Sequence, residues 1–178
     1  MITLNMPLSD EAIRSLKVGD SIALNGVMVT GRDTVHKWMV DTFIKKTRQP
    51  QGDDLEVYEA IKPLLAGSVI YHCGPVVAGL DTKQYRFVAA GPTTSIREEP
   101  YQGLVMDHFK IKGVIGKGGM GPKTLKACQE VPGVYLHAIG GAASLIARPS
   151  PACWEFTSMT SAYRKRCGSS RLRTFRWW

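Results

Sequence analysis

Four times between residues 68 and 143 a short apolar run ends in a glycine-bearing turn and gives way to a stretch able to form a helix. No other feature of the chain restricts its fold as much. The runs are Ser68–His72 into Cys73-Gly74-Pro75, Tyr85–Ala90 into Gly91-Pro92-Thr93-Thr94, Lys112–Ile115 into Gly116-Lys117-Gly118-Gly119-Met120-Gly121, and Gly133–Ala138 into Gly140-Gly141-Ala142-Ala143. Short apolar strands that alternate with helices predict an α/β fold with a mainly parallel sheet. Ligands of such sheets sit beyond the carboxyl ends of the strands, so these turns are where a site is expected.

The first third of the chain reads differently. A strand is expected near Thr3–Met6, followed by a helix capped by Ser9 and carrying Ala12, Ile13 and Leu16. Ser21–Leu24, Asn25-Gly26 and Val27–Thr30 read as a β-hairpin, because Asn-Gly tolerates the positive φ of a type I′ turn. Asp33 is expected to cap a helix whose apolar positions are Val35, Trp38, Met39 and Phe43. After a polar loop at 45–54, a second helix runs through Val57, Ile61, Leu64 and Leu65, with Pro63 bending or shortening it.

The net charge of +8 over 178 residues suggests a nucleic-acid binder until its distribution is read. Residues 1–147 carry 16 Lys/Arg against 14 Asp/Glu, whereas 148–178 carry 7 against one, Glu155. The basicity therefore belongs to the tail. Residues 149–178 contain no Val or Ile and a single Leu, Leu172, so they are expected to form a poorly ordered basic tail after a domain spanning 1–147. RNA binding through that tail, with Arg164, Lys165, Arg166, Arg171, Arg173 and Arg176 among Tyr163, Phe175, Trp177 and Trp178, is the weaker alternative.

Cys73, Cys128, Cys153 and Cys167 are separated by 55, 25 and 14 residues, with no C-x-x-C pair, so neither a zinc site nor a self-contained iron–sulfur site is expected in this chain. Without a long apolar stretch or a basic n-region followed by an apolar run, the expectation is a cytoplasmic protein with no membrane span.

Three of the glycine-bearing turns carry a cation: Arg32 in Thr30-Gly31-Arg32-Asp33, Arg97 after Gly91-Pro92-Thr93-Thr94, and Lys117 in Gly116-Lys117-Gly118-Gly119. Turns that open helices offer unpaired N–H groups and the positive end of a helix dipole. With arginine, whose planar fork suits carboxylate or phosphate, they point to a small polyanion. The solvated-loop reading holds for any one of these cations alone; three together favour a site. His36, three residues beyond Asp33, is near enough in sequence to reach the pocket of Arg32, while His72, His108 and His137 read as structural. His72 and Cys73 do not form a dyad, since neighbours on a strand face opposite ways. Gly116–Gly121 matches G-x-G-x-x-G, but the next strand ends at Leu136-His137-Ala138 with no acid to hold a ribose, which argues against a dinucleotide.

Five stretches, in order, resemble the beta subunit of class I fumarases and L-tartrate dehydratases, equivalent to the C-terminal domain of the single-chain enzymes. They are Val29–Lys37, Tyr71–Val77, Ala89–Arg97, Val114–Met120 and Tyr135–Ala143, and the likeness covers about 3 to 147. The resemblance implies a single swivelling β/β/α domain that closes over an alpha subunit. It implies that a [4Fe–4S] cluster is held by that partner and not by this chain. Arg32, Arg97, Lys117 and Gly118 fall at substrate-binding positions, Thr93 and Lys117 at the catalytic ones, with Asp33, His36 and Thr94 as accessory residues and no metal ligand. The implied reaction is reversible hydration of a C4 dicarboxylate, fumarate to malate, with tartrate to oxaloacetate as the alternative, and with a non-catalytic binding module as a reading of another class. The open iron of the partner's cluster would act as Lewis acid on the departing hydroxyl. The implied assembly has two copies of each chain, or a homodimer of this chain alone. Beyond about residue 147 the sequence departs from the family pattern, which bears on docking to the alpha subunit.

Overall fold

Strand β4 (Val69–Tyr71) is buried on both faces, and the alternation of its side chains builds two cores. Val69 and Tyr71 join one apolar cluster with Leu4, Leu24, Met28 and Ile115, while Ile70 joins another with Val35, Met39, Val105, Met106 and Val114. This period of two is what a strand between two layers must show. The computed structural model describes residues 1–79, 82, 86–141 and 143–146. The expected tail at 148–178 and the boundary before it lie outside the described residues.

The central sheet is parallel throughout, in the order β3 (Val29–Thr30), β4, β7 (Gly113–Gly116), β8 (Val134–His137). One face is covered by a second parallel pair, β1 (Ile2–Asn5) and β2 (Ile22–Asn25), together with α1 (Asp10–Arg14). The other carries α2 (Asp33–Met39), α3 (Asp54–Leu65), α4 (Glu99–Phe109) and α5 (Pro122–Glu130). The fold is α/β with mainly parallel sheets. No helix among the described residues is long and apolar enough to cross a membrane.

The elements expected from the recurring apolar runs are present within a residue or two, and Ser9 caps α1 by accepting from Ala12 N at 3.2 Å. Helix α3 continues past Pro63 to Leu65. Three local expectations are corrected. The Asn25-Gly26 hairpin does not form: β2 pairs parallel with β1, β3 joins the other sheet, and Gly26, at φ +126°, lies where a Cβ would stand 2.9 Å from Met6 Cβ. Tertiary pairing of β1 overrides the local turn signal. Cys73-Gly74-Pro75 leads not to a helix but to β5 (Val76–Ala78), which pairs antiparallel with β6 (Arg86–Ala89), as the β-branched Val76-Val77 pair favours. Finally, Arg32 and not Asp33 occupies the cap position of α2, whose last turn widens into a π-helix at Val40–Ile44.

Candidate functional site

The turns after β3, β4, β7 and β8 all lie at the carboxyl edge of the central sheet. Gly31 N donates to Tyr71 O at 2.9 Å, and Ala138 N to Gly116 O at 2.8 Å, which carries the ladder into the turns. The loop after β6 crosses this edge. Thr93 N donates to His72 O at 2.7 Å, Lys117 N to Thr93 O at 3.3 Å, and Ser95 N to Lys117 O at 3.0 Å. Cys73 and Pro92, and Thr94 and Lys117, form isolated bridges. Turns separated by more than 20 residues are thus laced backbone to backbone around Thr93 and Lys117.

The cations stand on neighbouring turns of this edge. Arg97, on a 3₁₀ turn at Ser95–Glu98, pairs with Asp33 at 2.9 Å, its side chain 55% exposed. Arg32 lies along Gly74, where a Cβ would stand 2.6 Å from Arg32 Cδ; only glycine leaves it that path. Lys117 is half-buried, and Gly118 and Gly119 both have positive φ, +80° and +84°, the backbone that makes glycine necessary there. Thr93 is half-buried and Thr94 and Gly118 are exposed. His36 is fully buried instead, its Nδ1 2.9 Å from the Arg32 carbonyl, with the ring turned into the core. His108 lies away from these turns, on α4, while His137 ends β8 opposite Gly116, exposed at the same edge.

The end of α5 corrects the expectation of free N–H groups at each glycine turn. The Glu99 carboxylate accepts from Gly121 N at 2.9 Å, Lys123 N at 2.8 Å, Thr124 N at 3.3 Å and the Thr124 hydroxyl at 2.6 Å. Burial raises its pKa, but the Thr124 hydroxyl and these amides outweigh that and hold the carboxyl below its ordinary range. The helix end is thus satisfied internally. Its neighbour Glu98 is fully buried near the start of α2, and neither of its oxygens makes a hydrogen bond of normal geometry. Burial pushes this carboxyl up to about 7, with Asp33 adding to the effect and Arg97 opposing it.

Behind the turns stands a buried polar row: His36, His72, Ser95, Glu98 and Gln102, each fully inaccessible. His72 Nδ1 lies 2.9 Å from Ser95 Oγ and its Nε2 2.8 Å from Gln102 Oε1. Burial drives the His72 pKa down to about 3, with His36 contributing, and burial lowers that of His36. A Cβ on Gly116 would run into Ser95 Oγ, which ties that glycine to the row. Sequence reasoning missed this row, although Ser95, Glu98 and Gln102 stand at i, i+3 and i+7, the spacing of one helical face.

The described residues contain no group of three His, Cys, Asp or Glu side chains able to hold a metal. Burial pushes the Cys73 thiol up to about 12 and the Cys128 thiol up to about 11, so neither offers a thiolate. These residues do not fit an iron–sulfur cluster. A cavity of about 270 Å³ opens elsewhere, between β2 and the β7–β8 edge beside Asp20, His137 and Ile139, and no candidate side chain lines it.

The family described as Fumarase C-terminus matches residues 1–150. The chain is 50% identical over 147 residues to a Geobacillus stearothermophilus protein named as a class I fumarate hydratase, covering 83% of this chain and 25% of that one. It is 33% identical over 144 residues to the L(+)-tartrate dehydratase subunit beta of Escherichia coli (strain K12), covering 81% of this chain and 64% of that one. A third relative, from Methanocaldococcus jannaschii and named as an L(+)-tartrate dehydratase subunit beta, is 32% identical over 140 residues, or 79% and 65% of the two chains. The chain thus spans a quarter of the first relative and under two thirds of the others.

Proposed function

We propose, from the premise that this chain belongs to the fumarase C-terminal family, that it is the beta part of an iron–sulfur hydro-lyase that hydrates fumarate to malate and reverses the reaction. The observation that carries this reading is the backbone lacing of Thr93 to Lys117, with Arg97 four residues further along the same loop and Arg32 beside Gly74. It concentrates two arginines and a lysine at one sheet edge, the charge that a dicarboxylate requires.

The costly step of such a reaction is removal of a proton from the carbon next to a carboxylate, because negative charge then accumulates on that carboxylate. In this reading Arg97 and Lys117 face the developing charge, Arg32 holds the remote carboxylate in ground and transition states alike, and the N–H of Gly118 assists. Thr93 handles the proton. A threonine hydroxyl is a weak base, and the adjacency of the Lys117 turn supports the role by offering a cation. Asp33 and Thr94 frame the arginine and the turn. The cluster of the assembled enzyme is assigned to the alpha subunit, and no step here runs through it. The alpha subunit is the partner, in a cytoplasmic assembly of two copies of each chain or, without alpha, a homodimer of this one.

The higher identity to a fumarate hydratase favours fumarate. The relatives named as separate beta subunits favour L-tartrate as the second reading. Co-expression with an alpha subunit, followed by assays on fumarate and L-tartrate, separates the two. The expected result is preferred turnover of fumarate. A cluster-loaded pair that turns over neither acid would defeat the proposal.

A further inference from the structure

Two backbone groups on opposite sides of the site are joined by buried side chains whose polarity can be assigned step by step. The start is the Arg32 carbonyl, which receives His36 N at 3.0 Å and His36 Nδ1 at 2.9 Å. A carbonyl only accepts, so Nδ1 of His36 carries the proton. Burial disfavours a second proton on that ring, so its Nε2 is a bare lone pair.

The Gln102 side chain comes next. It raises the affinity of His36 for a proton, although neither His36 Nε2 nor Gln102 Nε2 reaches hydrogen-bond geometry. The lone pair on His36 sets the Gln102 amide: its NH₂ faces His36 and its Oε1 faces His72. The reverse orientation would set two acceptors against each other in a dry interior. Oε1, 2.8 Å from His72 Nε2, then requires a proton on that nitrogen, which leaves Nδ1 of His72 as an acceptor. Ser95 Oγ, 2.9 Å away, donates to it. The Tyr135 hydroxyl donates to Ser95 Oγ at 3.2 Å and itself accepts from Gly119 N at 3.2 Å. The row ends in the glycine turn that carries Lys117.

We propose that His36, Gln102, His72, Ser95 and Tyr135 form a one-directional polar relay, hydrogen-bonded from Tyr135 to Gln102 and from His36 to the Arg32 carbonyl, that fixes the Lys117–Gly119 turn relative to the Arg32 turn. They are positioning residues for the reaction proposed above. The role rests on that reading; the geometry does not. His72, Ser95 and Tyr135 each have one donor and one acceptor face committed, and the His36 and Gln102 nitrogens, short of a hydrogen bond, are matched in polarity, so the row has a single low-energy polarity. Both imidazoles are buried and neutral, so the row adds no charge to the site. Gly119, at φ +84°, has no side chain to anchor it; the bond to Tyr135 is its hold on the sheet.

The test uses the full chain, alone and with its alpha partner. Long-range ¹H–¹⁵N correlation of the histidines at pH 7 reads tautomers directly. The expected result is His36 protonated on Nδ1 and His72 on Nε2, each neutral. Gln102→Glu places an acceptor before both rings, so His36 should become doubly protonated while His72 keeps its Nε2 proton. Tyr135→Phe removes one hydroxyl with little change of volume, and should speed exchange of the Gly119 amide at least tenfold. In the pair it should lower kcat by ~10–100-fold, the scale expected when a reacting group is displaced by about an ångström, with KM changing far less. His72 protonated on Nδ1, or a neutral His36 in Gln102→Glu, overturns the relay whatever the activity. Unchanged kcat in Tyr135→Phe overturns its positioning role. A wild-type pair inactive on both acids, with the tautomers as assigned, overturns the functional reading and leaves the relay supported.

Discussion

Glu98 makes a quantitative claim about pH. Its side chain is fully buried, its oxygens make no hydrogen bond of normal geometry, and burial, partly offset by the nearby Glu98 and Asp33 backbone groups, moves its pKa from the ordinary 4.5 to about 7. A folded-state pKa above the unfolded one means that the folded chain binds more protons between those values. The stabilisation is therefore complete below about pH 4.5 and is lost as pH rises through about 7. A displacement of that size corresponds to at most about 3 kcal/mol. Part of that pH window lies below pH 5, outside the measurement below, and the interior responds to a buried charge more than a dry medium would, so we expect about 1–2 kcal/mol. Glu98→Gln keeps the shape and cannot ionise. Urea denaturation of the full chain and of this variant at pH 5 and pH 8 isolates the term, because every other titrating group is shared. The variant should gain about 1–2 kcal/mol relative to wild type on going from pH 5 to pH 8. An amide that fits poorly shifts both pH values alike and leaves that difference intact. Parallel pH profiles for the two proteins would refute the argument and mean that the Glu98 carboxyl finds water or a partner in solution.

In the assembled pair, Arg97→Ala and Lys117→Ala should each cut kcat by ~10²–10³, the usual effect of removing a donor aimed at developing charge, with thermal unfolding of the chain unchanged. Arg32→Ala should act mainly on KM in the same steady-state assay, as expected for a contact made equally in ground and transition states. Thr93→Ser should retain most turnover and Thr93→Val almost none; the opposite ranking would mean that Thr93 only packs. Glu99→Ala should destabilise the chain by roughly 1–3 kcal/mol in denaturant titration. Because that carboxyl is held below its ordinary pKa, the wild-type advantage should be present above the ordinary carboxylate range and fade as pH falls below it.

What could be read from the sequence divides along physical lines. β4 and β7 were legible because a buried strand must be apolar along its length and must end in a turn; β8, half-buried, and β6, with Val88 exposed, showed through the glycine turns that follow them. Asn25-Gly26 misled because its signal is local, while the pairing of Ile2–Asn5 with Ile22–Asn25 is settled at a distance. The cation-bearing turns stood out because glycine and charge at a strand end are uncommon together. Their partners did not. Glu98 and Glu99 belong to none of the sequence patterns above, yet one is sealed in the interior and the other closes a neighbouring helix end. Adjacent residues on a helix point about 100° apart, and no local pattern tells which direction meets another element.

With Arg97 as the carboxylate-binding residue proposed above, its pair with Asp33 makes the resting site a self-occupied one. A carboxylate ligand reaching Arg97 does not fill an empty cationic slot; it competes with a carboxylate that is tethered and always present. Its affinity is the difference between two similar bonds, so an acid with a single carboxylate gains little by the exchange. An acid with a second carboxylate, able to reach Arg32 or Lys117 at the same time, gains a contact that Asp33 cannot offer. On the proposed function, the tethered rival would thus screen ligands by their number of charged ends before any chemistry begins.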